Sequence, residues 1–217
     1  MRKTGLGLLG IGILFIGCNL RAPIVAVGPL EVFIRQDLNL SGSVMGFLTT
    51  LPLLAFAAFS LLVPSLAPRW GNRRLMFYGL LLLLGGEILR PFGGGFGLFI
   101  GTLAIGCGAA IGNVLLPSMI KDDFPQQVGL LTGLYTATMA VFSGIAAGIS
   151  VPLAVNGGLG WQGSLSVWWV LTLVVACIWL PQLRQPERKK QRKSGSLHLL
   201  LRTPLVWHVT FFMGLQS

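Results

Sequence analysis

The sequence predicts an all-α polytopic membrane protein. Three observations carry that prediction: six long apolar runs, too little charge for a water-facing surface, and cations gathered almost entirely in alternate gaps between the runs, with Arg35 after the first run and Arg90 near the end of the third as exceptions. The runs cover 5–34, 43–67, 75–92, 95–120, 128–154 and 164–181, and most exceed the ~20 residues a helix needs to cross ~30 Å of hydrocarbon. Of 217 residues, 53% are hydrophobic and 10% charged, and mean hydropathy is +0.78. Soluble domains carry charge on about a quarter of their positions. The runs lack the period-2 alternation of strands, and in lipid each segment must satisfy its own backbone, so each is a helix.

The first run follows Arg2 and Lys3. With Phe15-Ile16-Gly17-Cys18 it has the look of a signal peptide ending at a lipoprotein-type cysteine, but the apolar stretch continues through Ile24 to Phe33, about twice a typical signal core, so it reads as a span. The second, fourth and fifth runs carry Pro52, Pro117 and Pro152, each of which removes one backbone hydrogen bond and can kink or break a helix. Gly101, Gly106, Gly108 and Gly112 in the fourth run, and Gly144 and Gly148 in the fifth, fit the small-residue interfaces that let membrane helices approach closely. The third run contains Glu87 and Arg90, and the stretch from Asn156 to Gly163 reads as the turn before the sixth. Cys18, Cys107 and Cys177 fall inside apolar runs, too far apart for a local metal motif, and read as small packing residues.

Charge sets the orientation. Lys and Arg collect at the N-terminus, after the second run (Arg69, Arg73, Arg74), after the fourth (Lys121) and after the sixth, where Arg184, Arg188, Lys189, Lys190, Arg192, Lys193 and Arg202 follow. The positive-inside rule places the N-terminus and the 182–203 segment in the cytoplasm of a multi-pass cell-membrane protein. The net charge of +10 is parcelled between spans instead of gathered on one face, so it reads as topology determinants and lipid contacts, with no nucleic-acid partner. The domain reading is a six-span bundle over 1–181, a basic linker over 182–203 and, from Pro204 to Ser217, the start of a seventh helix, whose roughly 14 residues fall short of a full crossing.

Six helices, a basic linker and an opening seventh helix resemble the N-terminal half of the major facilitator superfamily, a bundle built as a 3+3 repeat. PSLAPRWGNRRL resembles that superfamily's cytoplasmic signature Gly-x-x-x-Asp-Arg-x-Gly-Arg-[Lys/Arg]. Arg69, Gly71, Arg73 and Arg74 hold their places, with Asn72 separating the glycine from the basic pair and Pro64 and Pro68 standing where the first Gly and the Asp occur. NLRAPIVAVGPL, GFLTTLPLLAFA, GNVLLPSMIKDDFP and LTGLYT are similar to the cyanate/nitroimidazole (CynX/NimT) branch. That resemblance implies secondary transport of a small solute.

Arg21 is the leading candidate for substrate contact. It lies deep in the first run, where a guanidinium costs at least ~2.5–3.5 kcal/mol and must face a cavity or a partner. Its helical face carries Gly10, Leu14, Gly17 and Gly28, which leaves room for a ligand. The planar fork suits small anions with delocalised charge. The alternative is an ion pair with Glu31 or Glu87. Glu87 either neutralises Arg90, three positions on, or takes and releases a proton as substrate binds.

Thr102, Gly106, Asn113 and Pro117 share one side of the fourth helix. Asn113 can orient a polar solute or bond a neighbouring helix. Tyr135, Thr138, Met139 and Phe142 form a stripe in the fifth, so Tyr135 is either a binding wall or packing. Arg69, Gly71, Arg73, Arg74, Lys121, Asp122 and Asp123 form a cytoplasmic gate set by the resemblance, or a solvated loop cluster by charge alone. His198 and His208 have no ligand at metal spacing.

The expected protein is a carrier of a small anionic or compact polar solute working by alternating access, with protons as a candidate coupling ion and no cofactor. The alternative is a non-transporting half or scaffold that needs the missing C-terminal half or a second chain. An enzyme is not expected, because no paired carboxylates, metal cluster or activated nucleophile occurs in the spans.

Overall fold

The computed structural model describes residues 2–184. The basic linker beyond Arg184 and the seventh helix expected over 204–217 lie outside the described residues. Helix α1 (Arg2–Val25) is followed by a 3-10 turn (Gly28–Leu30) and α2 (Glu31–Leu38), and these together form the first span. The remaining five spans are α3 (Gly42–Trp70), α4 (Asn72–Phe92), α5 (Gly94–Asp123), α6 (Val128–Val155) and α7 (Gly160–Trp179), the last closed by a 3-10 turn (Leu180–Arg184). Among the described residues, six segments are therefore long and apolar enough to cross a membrane. The N-terminus, the α3–α4 and α5–α6 connections and Arg184 share one end of this bundle, here called the basic end.

Local chemistry explains where the elements stop. Pro29 has no N–H to return to the Val25 carbonyl, so α1 ends there and the chain restarts as a 3-10 turn. Ser41 caps α3 by accepting from the Val44 N–H at 3.3 Å. Gly71 adopts φ 84° between α3 and α4, a conformation that costs a side chain and suits glycine. This is the structural reason for the glycine in the PRWGNRR stretch.

Helix α5 sits centrally, packed on α4 and α3 and touching α1. Of its most apolar stretch 67% is buried, against 22% for α3 and 17% for α6, so the latter two helices leave most of their surface uncovered. Glycines set the close contacts. A Cβ on Gly101 would come within 2.6 Å of the Gly86 carbonyl and 2.8 Å of the Arg90 Cβ, and one on Gly108 within 2.7 Å of the Gly79 carbonyl. Gly106 faces Pro52 and Ala55 of α3, and Gly112 faces Leu20 of α1. Two clusters fill the interior. One runs from Leu9 and Ile13 through Leu75 and Met76 to Trp179, and the other gathers Ala26, Leu30, Met45, Trp161 and Trp168.

The structure corrects several expectations. Gly144 and Gly148 meet nothing within 4 Å and lie on the uncovered side of α6, so they are not contact glycines within this bundle. Pro52, Pro117 and Pro152 sit inside continuous helices, and none of the three breaks its helix. Cys18 and Cys107 are buried as packing residues, but Cys177 is exposed. Half of the expected Asn156–Gly163 turn is helix, since α7 opens at Gly160. Helices run past their apolar runs because Arg73 and Asp123 find protein partners there and need not leave the fold.

Gly101→Ala is expected to destabilise the bundle by about 1–3 kcal/mol, the usual cost of overpacking. Gly85→Ala meets open space and should be neutral or slightly stabilising through helix propensity. Unfolding midpoints in a detergent-to-SDS titration check both.

Candidate functional site

At the basic end, three helix termini converge on Arg73, the first of the paired arginines to be buried. Its Nη1 donates to Gln182 Oε1 at 3.1 Å, and its Nη2 stands 3.6 Å from Asp123 Oδ2. The Trp179 indole N–H donates to the Arg73 carbonyl at 3.0 Å. The start of α4, the end of α5 and the end of α7 are thus tied together by one side chain and its own backbone. Arg69, Arg74 and Lys121 are exposed around this knot, and Asp122 is half-buried. Of the expected gate residues, the fold brings Arg73 and Asp123 into contact.

Arg21 is exposed on α1, near the middle of the first span, and among the described residues it has no hydrogen-bond or ion-pair partner. The expected alternative, a pair with Glu31 or Glu87, is therefore not formed. Glu87 is fully enclosed and neither carboxylate oxygen has a hydrogen bond. Arg90 follows three positions on along the same helix, and Thr172 is a buried residue of α7. Thr172 also lies 3.3 Å from the Trp168 carbonyl, to which its hydroxyl donates.

Arg90 is likewise fully buried, but it does not form a close ion pair with Glu87. Its Nη1 donates to the Pro23 carbonyl at 2.8 Å, while Nε and Nη2 have no partner. That carbonyl belongs to the last turn of α1, where helix geometry leaves acceptors unmatched. A cation there also meets the negative end of the helix dipole. A cavity of about 140 Å³ adjoins it, lined by Val25 and Gly28 at the break in the first span, Thr49 and Pro52 of α3, Arg90, and Thr102 of α5.

Asn113 is half-buried and donates from Nδ2 to its own helix, at the Ala109 carbonyl, 2.9 Å away. Tyr135 is buried where α6 crosses α1, and a Cβ on Gly17 would touch its carbonyl at 3.0 Å. In this structure Tyr135 serves the α1–α6 contact. At the opposite end, Asp37 Oδ2 accepts from the Trp161 indole N–H at 2.8 Å and from Gln162 Nε2 at 3.1 Å, joining α2 to α7.

This arrangement of six spans, with a basic-end knot built on the GNRR stretch, accords with the comparisons with known proteins. The sequence profile of the Major Facilitator Superfamily matches residues 8–217. The chain belongs to the major facilitator superfamily. It is 45% identical over 206 residues to the transporter YycB of Bacillus subtilis, covering 95% of this chain and 51% of that protein. It is 43% identical over 208 residues to the 2-nitroimidazole transporter of Escherichia coli, covering 95% of this chain and 53% of the relative. The cyanate transport protein CynX of E. coli is 29% identical over 205 residues, covering 94% and 53%. The chain therefore spans about half the length of the curated relatives it matches, and the resemblance read from NLRAPIVAVGPL and GNVLLPSMIKDDFP holds.

In this superfamily member two groups escaped sequence reasoning. Gln182 reads as linker because it follows the last apolar run, yet it is fully buried against Arg73. Arg90 reads as a local partner of Glu87, because i, i+3 spacing says nothing about the orphaned carbonyl that α1 presents. The Gly28-Pro29 pair is the signal that could have pointed there.

Trp179→Phe removes the indole donor and leaves a void where the larger buried ring packed, so it is expected to cost about 2 kcal/mol or more of bundle stability. An unfolding titration against wild type in the same detergent measures it.

Proposed function

We propose that this chain forms one half of a secondary carrier for a small anionic or compact polar solute, working by alternating access. The observation that carries the reading is Arg21, an exposed guanidinium at mid-span with no partner among the described residues, where solvation by lipid is costly. A transport pathway supplies what that charge needs: water when vacant and an acceptor-bearing solute when occupied. The names of two relatives, a 2-nitroimidazole transporter and a cyanate transport protein, support a compact solute with delocalised electrons.

A second six-helix half would cover the surfaces that α3 and α6 leave bare, as carriers built from parallel repeats do. The half-length match to the relatives favours this requirement for a partner. The chain alone would then bind solute without moving it. Uptake by cells producing the chain alone, against cells producing it with a second half, separates the two readings.

Glu87 is our candidate for proton coupling. Its carboxyl group is enclosed without a hydrogen bond among the described residues, three positions from Arg90 on the same helix. Arg73 with Asp123, surrounded by Arg69, Gly71, Arg74, Lys121 and Asp122, would form the gate contacts at the basic end. The basic end would face the cytoplasm of the cell membrane, in keeping with the distribution of Lys and Arg.

In the assembled carrier, Arg21→Lys should lower solute uptake at least about tenfold, since an ammonium cannot offer the planar fork. Glu87→Gln should flatten the dependence of uptake on pH. Unchanged binding of every solute tested in Arg21→Lys sinks the arginine reading, and an unchanged pH profile in Glu87→Gln removes the proton carrier. For orientation, Asn156→Cys should react with a membrane-impermeant maleimide added to intact cells, and Gln126→Cys only after lysis. The reverse pattern overturns the topology.

A further inference from the structure

At the basic end, two arginines stand outside the knot that Arg73 ties. Among the described residues the ion pair there belongs to Arg73 and Asp123, while Arg69 in the last turn of α3 and Arg74 in the first turn of α4 are exposed. Gly71 joins the two helices directly, so both cations flank one tight connection. Of the two acids at this end, Asp123 is engaged by Arg73 and Asp122 is half-buried, and Lys121 and Arg184 are exposed. The charge shown to the surroundings is positive.

The same corner carries an aromatic pair. Trp70 of α3 and Tyr78 of α4 meet edge to face, with ring centroids 5.5 Å apart and planes at 77°. Both rings stay about half exposed, at 51% and 49%, which a pair serving only the core would not. Helices α3 and α4 each pack on α5 and touch each other little, so the rings bridge the two near their connection. Arg69 precedes Trp70 in the chain, and Arg74 lies one helical turn before Tyr78 on the same face of α4.

From Arg74 the exposed face of α4 continues through Tyr78, Leu81 and Gly85. That is a rise of about 16 Å, close to half of the ~30 Å hydrocarbon core. The order along it is cation, amphipathic ring, apolar surface. A phospholipid in one leaflet presents the complementary order of phosphate, glycerol esters and acyl chain. Trp and Tyr rings favour the headgroup level, and a guanidinium holds a phosphate through two parallel N–H···O bonds. A soluble anion would use the arginines and leave the rings and the apolar face idle.

We propose that Arg69, Trp70, Arg74 and Tyr78 form a docking site for one anionic phospholipid, its phosphate between the arginines, its glycerol region on the rings and one chain along Leu81 and Gly85. A zwitterionic lipid fits less well, because its ammonium faces the same two cations. The site goes beyond the carrier reading and holds whether or not the chain moves a solute.

The test places the 217-residue chain, singly, in phosphatidylcholine nanodiscs. Rising shares of phosphatidylglycerol or phosphatidylcholine, each nitroxide-labelled near the top of one acyl chain, are built in, and tryptophan quenching is read. The difference between wild type and Trp70→Phe isolates the Trp70 signal. Labelled phosphatidylglycerol should half-quench that signal at a membrane fraction at least about tenfold below labelled phosphatidylcholine, since each arginine near an anionic headgroup is worth about fivefold. The double variant Arg69→Gln, Arg74→Gln should erase the preference. Lys121→Gln, which removes an exposed cation of the same end on α5, should change it by less than about twofold. Should the double variant fail to fold, Arg74→Gln alone is expected to lower the preference about fivefold, and an unchanged preference there overturns the site.

Equal quenching by the two lipids overturns the proposal, as does an anionic preference that survives in full in Trp70→Phe. A loss in Lys121→Gln as large as in the double variant marks diffuse attraction and overturns it too. Relief of quenching by inorganic phosphate, beyond that by sodium chloride of equal ionic strength, assigns the arginines to a soluble anion. Shielding of Trp70 from both labels in discs that hold two chains assigns the face to a second copy. Either result removes the lipid from the site.

Discussion

The close approach of α4 to α5 is the constraint on which the rest of the bundle depends. Gly79 and Gly86 on one helix face Gly108 and Gly101 on the other, and at each crossing backbone meets backbone with no space for a methyl group. Lipid supplies no hydrophobic drive for helix association, so van der Waals contact at this range must hold the helices together. The same contact sets the height and rotation of α4. Gly101 lies directly against the Arg90 backbone and Cβ, so the arginine is seated by its neighbour's missing side chain.

With α4 seated, its two ends do different work. Its first turn brings Arg73 between Asp123 and Gln182, where it ties three helix ends together at the basic end. Its last turns carry Glu87 and Arg90 into an interior where neither finds a salt bridge. Arg90 instead completes the end of α1, matching a positive charge to carbonyls that the helix cannot satisfy itself. A pair that looks self-neutralising along one helix is, in three dimensions, divided between a helix cap and an enclosed carboxyl group.

The uncovered surfaces have their own logic. Helices α3 and α6 bury little of their apolar length, and among the described residues Arg21 stands on α1 without a partner. Lipid can cover apolar side chains at no cost but not a guanidinium. An exposed charge at mid-span thus makes sense beside water or another polar partner, which the proposed two-half carrier would supply.

Six spans, their helical nature and the glycine-lined fourth span were legible in the amino-acid sequence, because lipid imposes length, apolarity and internal hydrogen bonding on each segment independently of its neighbours. The break after α1 was also written locally, in Gly28-Pro29. Which glycines pack was not: Gly101 and Gly108 meet a neighbour, whereas Gly144 and Gly148 face outward on an equally glycine-rich helix. Spacing shows which residues share a face, and it cannot show what that face meets. For the same reason only the tertiary structure decided that Arg21 is unpartnered, that Gln182 belongs to the interior, and that Arg90 reaches the end of α1 beside a cavity. Each of those facts is a contact between segments distant in sequence, set by how helices rotate against one another.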